Sequence, residues 1–203
     1  SRFTTHELRF TTMKLGIFGG SFNPPHIGHL IIAESVREKL QLDNVIFVPA
    51  GQPPHKSSQP MLEAMLRLKL LQLAIASQPQ FIIDEIELQR IGLSYSVETL
   101  QYFAKKYPHD ALYFLIGADS FLELHTWKSP KEICSLATVV VMNRGGIEIK
   151  NETEFTRLVQ FVRVPNIEIS STEIRQRVAM GKSIRYLVTP SVEEYITTHA
   201  IYK

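Results

Sequence analysis

The sequence predicts an α/β protein built on an open, mostly parallel sheet with helices on both faces and a small helical C-terminal part from about residue 170 to 203. Three observations predict it. Short apolar runs that read as buried strands alternate with stretches of helical period. The first three such segments make a strand–helix–strand unit in about 35 residues, which implies parallel strands and a right-handed crossover. Beyond residue 170 the helical period recurs with no convincing strand between its two occurrences.

Lys14 to Phe18 is an apolar run ending in Gly19-Gly20, a buried strand meeting a tight loop. From Gly28 to Leu40, Leu30, Ile31, Ala33, Val36 and Leu40 follow a helical period, with Glu34, Arg37, Glu38 and Lys39 facing elsewhere. Val45 to Val48 is a second buried strand, stopped by Pro49. Pro60 to Ser77 is helical, with proline at its start. Phe81 to Leu88 reads as extended, and Ser96 to Lys106 as a helix capped by Ser94 or Ser96. Ala111 to Ile116 is a strand ending at Gly117, and Thr138 to Met142 is another. Ser171 to Met180 and Ser191 to Thr198 are helices. In such sheets ligands lie beyond the carboxyl ends of the strands, so the loops after Phe18, Val48, Leu88, Ile116 and Met142 are where a site is expected.

The length of 203 residues suits one domain, and 44% hydrophobic against 21% charged residues is the balance of a globular chain. A formal net charge of +2 is too small an excess for a nucleic-acid or membrane surface, although a few local cations could still hold a phosphorylated small molecule. Cys134 is the single cysteine, which rules out an internal disulfide and a cysteine-based zinc cluster; in its apolar stretch it reads as a small core residue. No run approaches the ~18–20 apolar residues of a membrane span, and the expected compartment is the cytoplasm. Residues 1–12 precede Met13 and carry no signal-peptide core, so they read as a leader outside a single domain spanning 13–203.

The first loop carries the chemistry. Gly19-Gly20-Ser21-Phe22-Asn23-Pro24-Pro25-His26-Ile27-Gly28-His29 joins strand to helix. Its glycines allow close approach to a bulky anion, and the helix start presents unpaired N–H groups. His26 and His29, three apart, can point the same way in the first turn. A dinucleotide-binding G-x-G-x-x-G, a Walker A ending and an H-E-x-x-H metal pair are all absent. Histidines that merely cap the helix are the plainer reading. Near the other end, Ile169-Ser170-Ser171-Thr172-Glu173-Ile174-Arg175 is a capped helix start that also offers hydroxyls, free N–H groups and a guanidinium to a phosphate.

The first loop resembles the G-x-F-x-P-x-H-x-G-H signature of the nucleotidyltransferase superfamily, related to the HIGH motif of class I aminoacyl-tRNA synthetases, and His26-Ile27-Gly28-His29 spells that motif. The run from Ile169 to Arg175 is similar to the superfamily's I-S-S-T-x-I-R motif. Over nearly all of Met13 to Lys203 the chain looks like bacterial-type nicotinate-nucleotide adenylyltransferases. The likeness is carried by Pro53-Pro54-His55-Lys56, Ser94 to Leu100, Gly117 to Ser120, Leu124 with Trp127, Val141 to Arg144 and Ile184 to Pro190. Two departures stand out: Asn23 replaces a frequent aspartate, and Lys128 follows Trp127 where an aromatic is common.

The resemblance implies a Rossmann-like, doubly wound fold and transfer of AMP from ATP to nicotinate mononucleotide, with Mg²⁺ accompanying ATP and no dedicated protein cage for the metal. It implies His26, His29 and Arg175 as catalytic groups. ATP would be bound by these three with Gly19, Gly20, Ser21, Phe22, Gly117, Asp119, Arg144, Ser171 and Thr172. The acceptor would meet Asn23, His55, Lys56, Tyr95, Thr99 and Trp127, the last as a stacking partner for the pyridine ring. ATP and the mononucleotide are the expected partners, with no nucleic acid or membrane, and the oligomeric state is left open, a homo-oligomer included. Competing readings are a pantetheine-phosphate adenylyltransferase, disfavoured by Ser94 to Leu100 and Trp127, a non-catalytic nucleotide sensor, and a tRNA-synthetase fragment, which would need a K-M-S-K-S loop.

Overall fold

The computed structural model describes residues 12–52, 61–144 and 153–203. Six parallel strands form one sheet: β1 (Lys14–Gly20), β2 (Asn44–Pro49), β3 (Phe81–Ile83), β4 (Ala111–Gly117), β5 (Thr138–Arg144) and β6 (Val159–Val164). Their order is β3-β2-β1-β4-β5-β6, so the winding reverses between β1 and β4. Lys14 pairs with Ala111 and Leu15 with Asn44, which places β1 at the centre of the sheet.

Period-2 alternation divides the strand side chains between two apolar layers. Phe18, Val45, Phe47, Leu115, Val140 and Met142 face one layer. It is covered by α1 (Ile27–Leu40), α2 (Ala64–Ile75), α6 (Ser171–Ala179) and α7 (Pro190–Thr198), through residues such as Val36, Leu71, Ile174 and Val192. Leu15, Ile17, Ile46, Val48, Phe114 and Val141 face the other. That side is covered by α3 (Ser96–Lys106), α4 (Ala118–Leu122) and α5 (Pro130–Leu136), through Leu100, Phe103, Phe121 and Ile133. The doubly wound α/β fold and the helical C-terminal part expected from the sequence are therefore present.

Several boundaries differ from expectation. The segment from Phe81 is extended only to Ile83, because the Asp84 carboxylate accepts the Ile86 N–H at 3.0 Å and turns the chain. Helix α2 begins at Ala64; Pro60 lies outside the described residues. The cap residue of α3 is Tyr95, with no side-chain bond from Ser94 or Ser96 at the cap. Strand β6 was not foreseen: it is an edge strand whose Gln160, Phe161 and Arg163 are exposed, so its apolar signal is diluted. Helices α4 and α5 were also unforeseen. They are only 5 and 7 residues long, too short to show a period.

Phe47 is fully buried beneath the first loop, with its ring centroid 5.5, 5.6 and 5.1 Å from those of Phe18, Phe22 and Phe81. Phe47→Ala should lower unfolding free energy by about 3–5 kcal/mol in urea titrations. A loss below about 1 kcal/mol would mean that this aromatic cluster does not anchor the loop.

Candidate active site

The winding reversal opens a crevice at the carboxyl ends of β1 and β4, the place where doubly wound sheets hold ligands. A cavity of about 310 Å³ lies there. Gly19, Gly20 and Ser21 border it from β1, Gly117 from β4, and Tyr95, Thr99 and Trp127 from the opposite wall. Seven residues expected at a site are thus brought together.

The histidine loop is built from its small residues upward. Phe22 has a positive φ of 44° and tucks its ring under Gly20, where an added Cβ would sit 2.9 Å from Phe22 Cζ. His26 is the cap residue of α1, and its main-chain N–H donates to His29 Nδ1 at 3.1 Å. The two imidazoles stack with centroids 3.6 Å apart. Gly28 permits this, since a Cβ there would approach His26 Nδ1 to 3.0 Å. Because His29 Nδ1 accepts a hydrogen bond, the neutral ring carries its proton on Nε2 and presents that edge as a donor. The capping role and a phosphate-facing role are therefore compatible.

The second motif docks directly on this loop. Ser170 caps α6 by accepting the Glu173 N–H at 3.1 Å. The Ser171 hydroxyl donates to the Pro24 carbonyl at 2.7 Å, and Arg175 Nη1 to the Asn23 carbonyl at 2.9 Å. Arg175 Nη2 reaches Thr172 Oγ1 at 3.2 Å, and Thr172 itself is exposed. The Ile27 N–H donates to the Leu187 carbonyl at 2.9 Å, tying the start of α1 to the Ile184–Pro190 segment. Residues 147 and 152 positions apart are thus joined directly, although neither motif's contacting residues are among those that line the cavity.

Asn23 is buried and does not border the cavity. Its Oδ1 accepts from the Tyr202 hydroxyl at 2.8 Å, so its side chain faces the C-terminal part rather than the cavity wall. Asp119 is exposed at the first turn of α4, folded over Gly117, where a carboxylate suits the helix dipole. Arg144 ends β5 in register with Val164; its side chain, like His55 and Lys56, lies outside the described residues. Among the described residues no group of three or more His, Cys, Asp or Glu is placed to hold a metal ion. Cys134 is half-buried, and burial pushes its thiol up, away from thiolate chemistry.

On the opposite wall, Trp127 packs edge-on to Phe114 with centroids 6.3 Å apart, and its buried indole N–H has no acceptor among the described residues. Lys128 stands 4.4 Å over the Tyr95 ring and pairs with Glu98 at 2.7 Å. Glu87, which the sequence did not single out, lines the same wall. Burial pushes its carboxyl up, while the Thr99 hydroxyl, the Gly51 N–H and the Arg90 charge act the other way. Thr99 donates to Glu87 Oε1 at 2.8 Å. Tyr202 was equally invisible in the sequence, since no local pattern couples residue 202 to residue 23.

The cytidylyltransferase-like family profile matches residues 17–177. The chain is 45% identical over 196 residues to a probable nicotinate-nucleotide adenylyltransferase of Thermomicrobium roseum, covering 94% of this chain and 92% of that one. It is 42% identical to the Thermus thermophilus protein of the same description, covering 94% and 100%. Among solved structures, it resembles the Plasmodium falciparum nicotinic acid mononucleotide adenylyltransferase complexed with NaAD, with a TM-score of 0.77 at 16% identity over 94% of this chain and 97% of that one, a likeness of fold.

Burial pushes the Tyr202 phenol well up, so folding favours its neutral form. A raised folded-state pKa means stability is full below the unfolded value near 10 and is lost as pH rises past it. Wild-type stability should therefore decline above about pH 10, and Tyr202→Phe should flatten that decline while costing about 1–3 kcal/mol at neutral pH by stranding Asn23 Oδ1. Chemical denaturation at pH 7 and pH 10.5 checks both; equal slopes in the two proteins would remove Tyr202 from the loop's support.

Proposed function

This chain belongs to the cytidylyltransferase-like family, among its nicotinate-nucleotide adenylyltransferases, and on that premise we propose that it moves the adenylyl group of ATP onto nicotinate mononucleotide. The transfer yields nicotinate adenine dinucleotide and pyrophosphate, a step of NAD biosynthesis. The observation that carries the assignment of residues is the docking of the Ser171–Arg175 helix start on the Asn23–Pro24 carbonyls beside the stacked histidines.

The chemistry is in-line displacement. An oxygen of the acceptor's phosphate forms a bond to the α-phosphorus of ATP, and the bond from that phosphorus to the bridging oxygen of pyrophosphate breaks. A phosphate monoester has its second pKa near 6, so it is largely a dianion at neutral pH and needs no strong base. Catalysis then consists of positioning and charge stabilisation. His29 Nε2–H and His26 would meet the transferring and leaving phosphates. Arg175 spends two N–H groups on Asn23 and Thr172 and keeps donors of its five for the β and γ phosphates. The Ser171 hydroxyl proton is committed to Pro24, so Ser171 would act through its N–H, whereas the Thr172 hydroxyl stays available. Mg²⁺ bound with ATP would neutralise phosphate charge; lacking a carboxylate cage among the described residues, this site would leave it to phosphate oxygens and water.

At the acceptor end, Trp127 offers a flat face for the pyridine ring, with Tyr95 and Thr99 beside it. Loops after β2 would supply His55 and Lys56 to the acceptor's phosphate. The setting is soluble metabolism in the cytoplasm, with ATP and the mononucleotide as partners.

His29→Ala should cut kcat by well over tenfold with little change in Tm; turnover near the wild-type value would take His29 out of the reaction. Trp127→Ala should raise KM for the mononucleotide more than KM for ATP, and the opposite pattern would reassign it. In steady state, kcat/KM should favour nicotinate over nicotinamide mononucleotide. A clear preference for the amide would overturn the acceptor.

A further inference from the structure

Arg67 lies in the first turn of α2 with 1% exposure, the largest fully buried side chain among the described residues. The transfer chemistry above makes no use of it. Its guanidinium donates to three backbone carbonyls: Nε to Leu62 at 3.0 Å, Nη1 to Ser21 at 2.9 Å and Nη2 to Ala50 at 2.7 Å. Burial pushes its proton affinity down, with the Tyr202 oxygen acting the other way. Holding a buried cation on carbonyl dipoles is costly, so its geometry has to be good.

Two of those carbonyls belong to loops that border the cavity, Ser21 after β1 and Ala50 after β2. Peptide units are planar, and in the trans form C=O and N–H point opposite ways. Turning the Ser21 and Ala50 carbonyls onto Arg67 therefore turns the Phe22 and Gly51 N–H groups away from it. The Gly51 N–H is then directed to the Glu87 carboxyl, which also accepts from Thr99 at 2.8 Å. Gly51 has no room for a side chain, since a Cβ would lie 2.2 Å from the Glu87 carbonyl oxygen. The loop after β2 is gripped from both sides, by Arg67 behind and Glu87 in front.

We propose that Arg67 is a positioning residue for the acceptor end of the cavity: its fork sets the Ser21 and Ala50 peptides and, through Glu87, the Thr99 hydroxyl that the mononucleotide meets. The identity of that acceptor rests on the adenylyl-transfer reading. Lysine cannot substitute, because its donors leave one nitrogen and cannot span acceptors held separately by Nε, Nη1 and Nη2.

Arg67→Lys is the test, read by kinetics and by amide hydrogen exchange. KM for nicotinate mononucleotide should rise about tenfold or more, with KM for ATP within about threefold. Unchanged constants, or equal rises in both, would overturn the proposal. Exchange at residues 19–23 and 48–52 should accelerate while Leu100 and Phe103 stay protected; exchange unchanged in those loops would also overturn it. This second readout needs no turnover, so a wild-type protein inactive with these substrates would sink the activity and leave the positioning role still decided. Should Arg67→Lys fail to fold, the wild-type Arg67 side-chain NMR signals decide. Slowly exchanging Nε–H with resolved Nη resonances supports the clamp, and rapidly averaged Nη signals contradict it.

Discussion

Two hydrogen bonds between distant parts of the chain hold the histidine loop to the start of α6: Ser171 to the Pro24 carbonyl and Arg175 to the Asn23 carbonyl. Pro24 and Pro25 have no N–H to donate, so this stretch of the loop supplies no main-chain donors of its own. It is nevertheless buried from Phe22 to His26, and its carbonyls need donors from elsewhere. The start of α6 supplies them. The same contacts place the N–H groups of that helix and the Arg175 guanidinium beside the histidine pair. A structural demand of the loop is thus met at the same junction to which the proposed function assigns the triphosphate.

The cations follow the same logic. The chain's net charge is only +2, yet Arg67 and Arg175 both lie close enough to Tyr202 to act on its ionisation. Arg67 supports the loop ends from behind through carbonyls, and Arg175 holds the Asn23 carbonyl and Thr172 from the start of α6. Both guanidiniums thus donate to carbonyls of the first loop, Arg67 to Ser21 and Arg175 to Asn23. On the cavity wall that carries Trp127 the balance is different: Arg90 and Lys128 pair with Glu98, and Thr99 accepts from Arg90 and donates to Glu87.

Much of this was legible in the sequence. Strands β1, β2, β4 and β5 announce themselves as continuous apolar runs because both of their faces are covered. The histidine loop and the Ser171–Arg175 start were readable because each is a local motif with glycines, prolines or caps at fixed offsets. Strand β6 was not, since an edge strand needs only one good face. Arg67 could not be distinguished from any other arginine on an amphipathic helix, because its value lies in three carbonyls contributed by other segments. Tyr202 and Glu87 escaped for the same reason: burial of a polar group is a property of the assembled chain. The Asn23 side chain is turned to Tyr202, a pairing that only the folded tail reveals.

The central claim is that one triphosphate bridges the histidine pair and the start of α6. The most direct test is a crystal structure of the protein with a non-hydrolysable ATP analogue. His29 Nε2 and Arg175 should both lie within about 3.2 Å of oxygens on the same triphosphate chain. A triphosphate that contacts one of them and leaves the other facing solvent would contradict the claim.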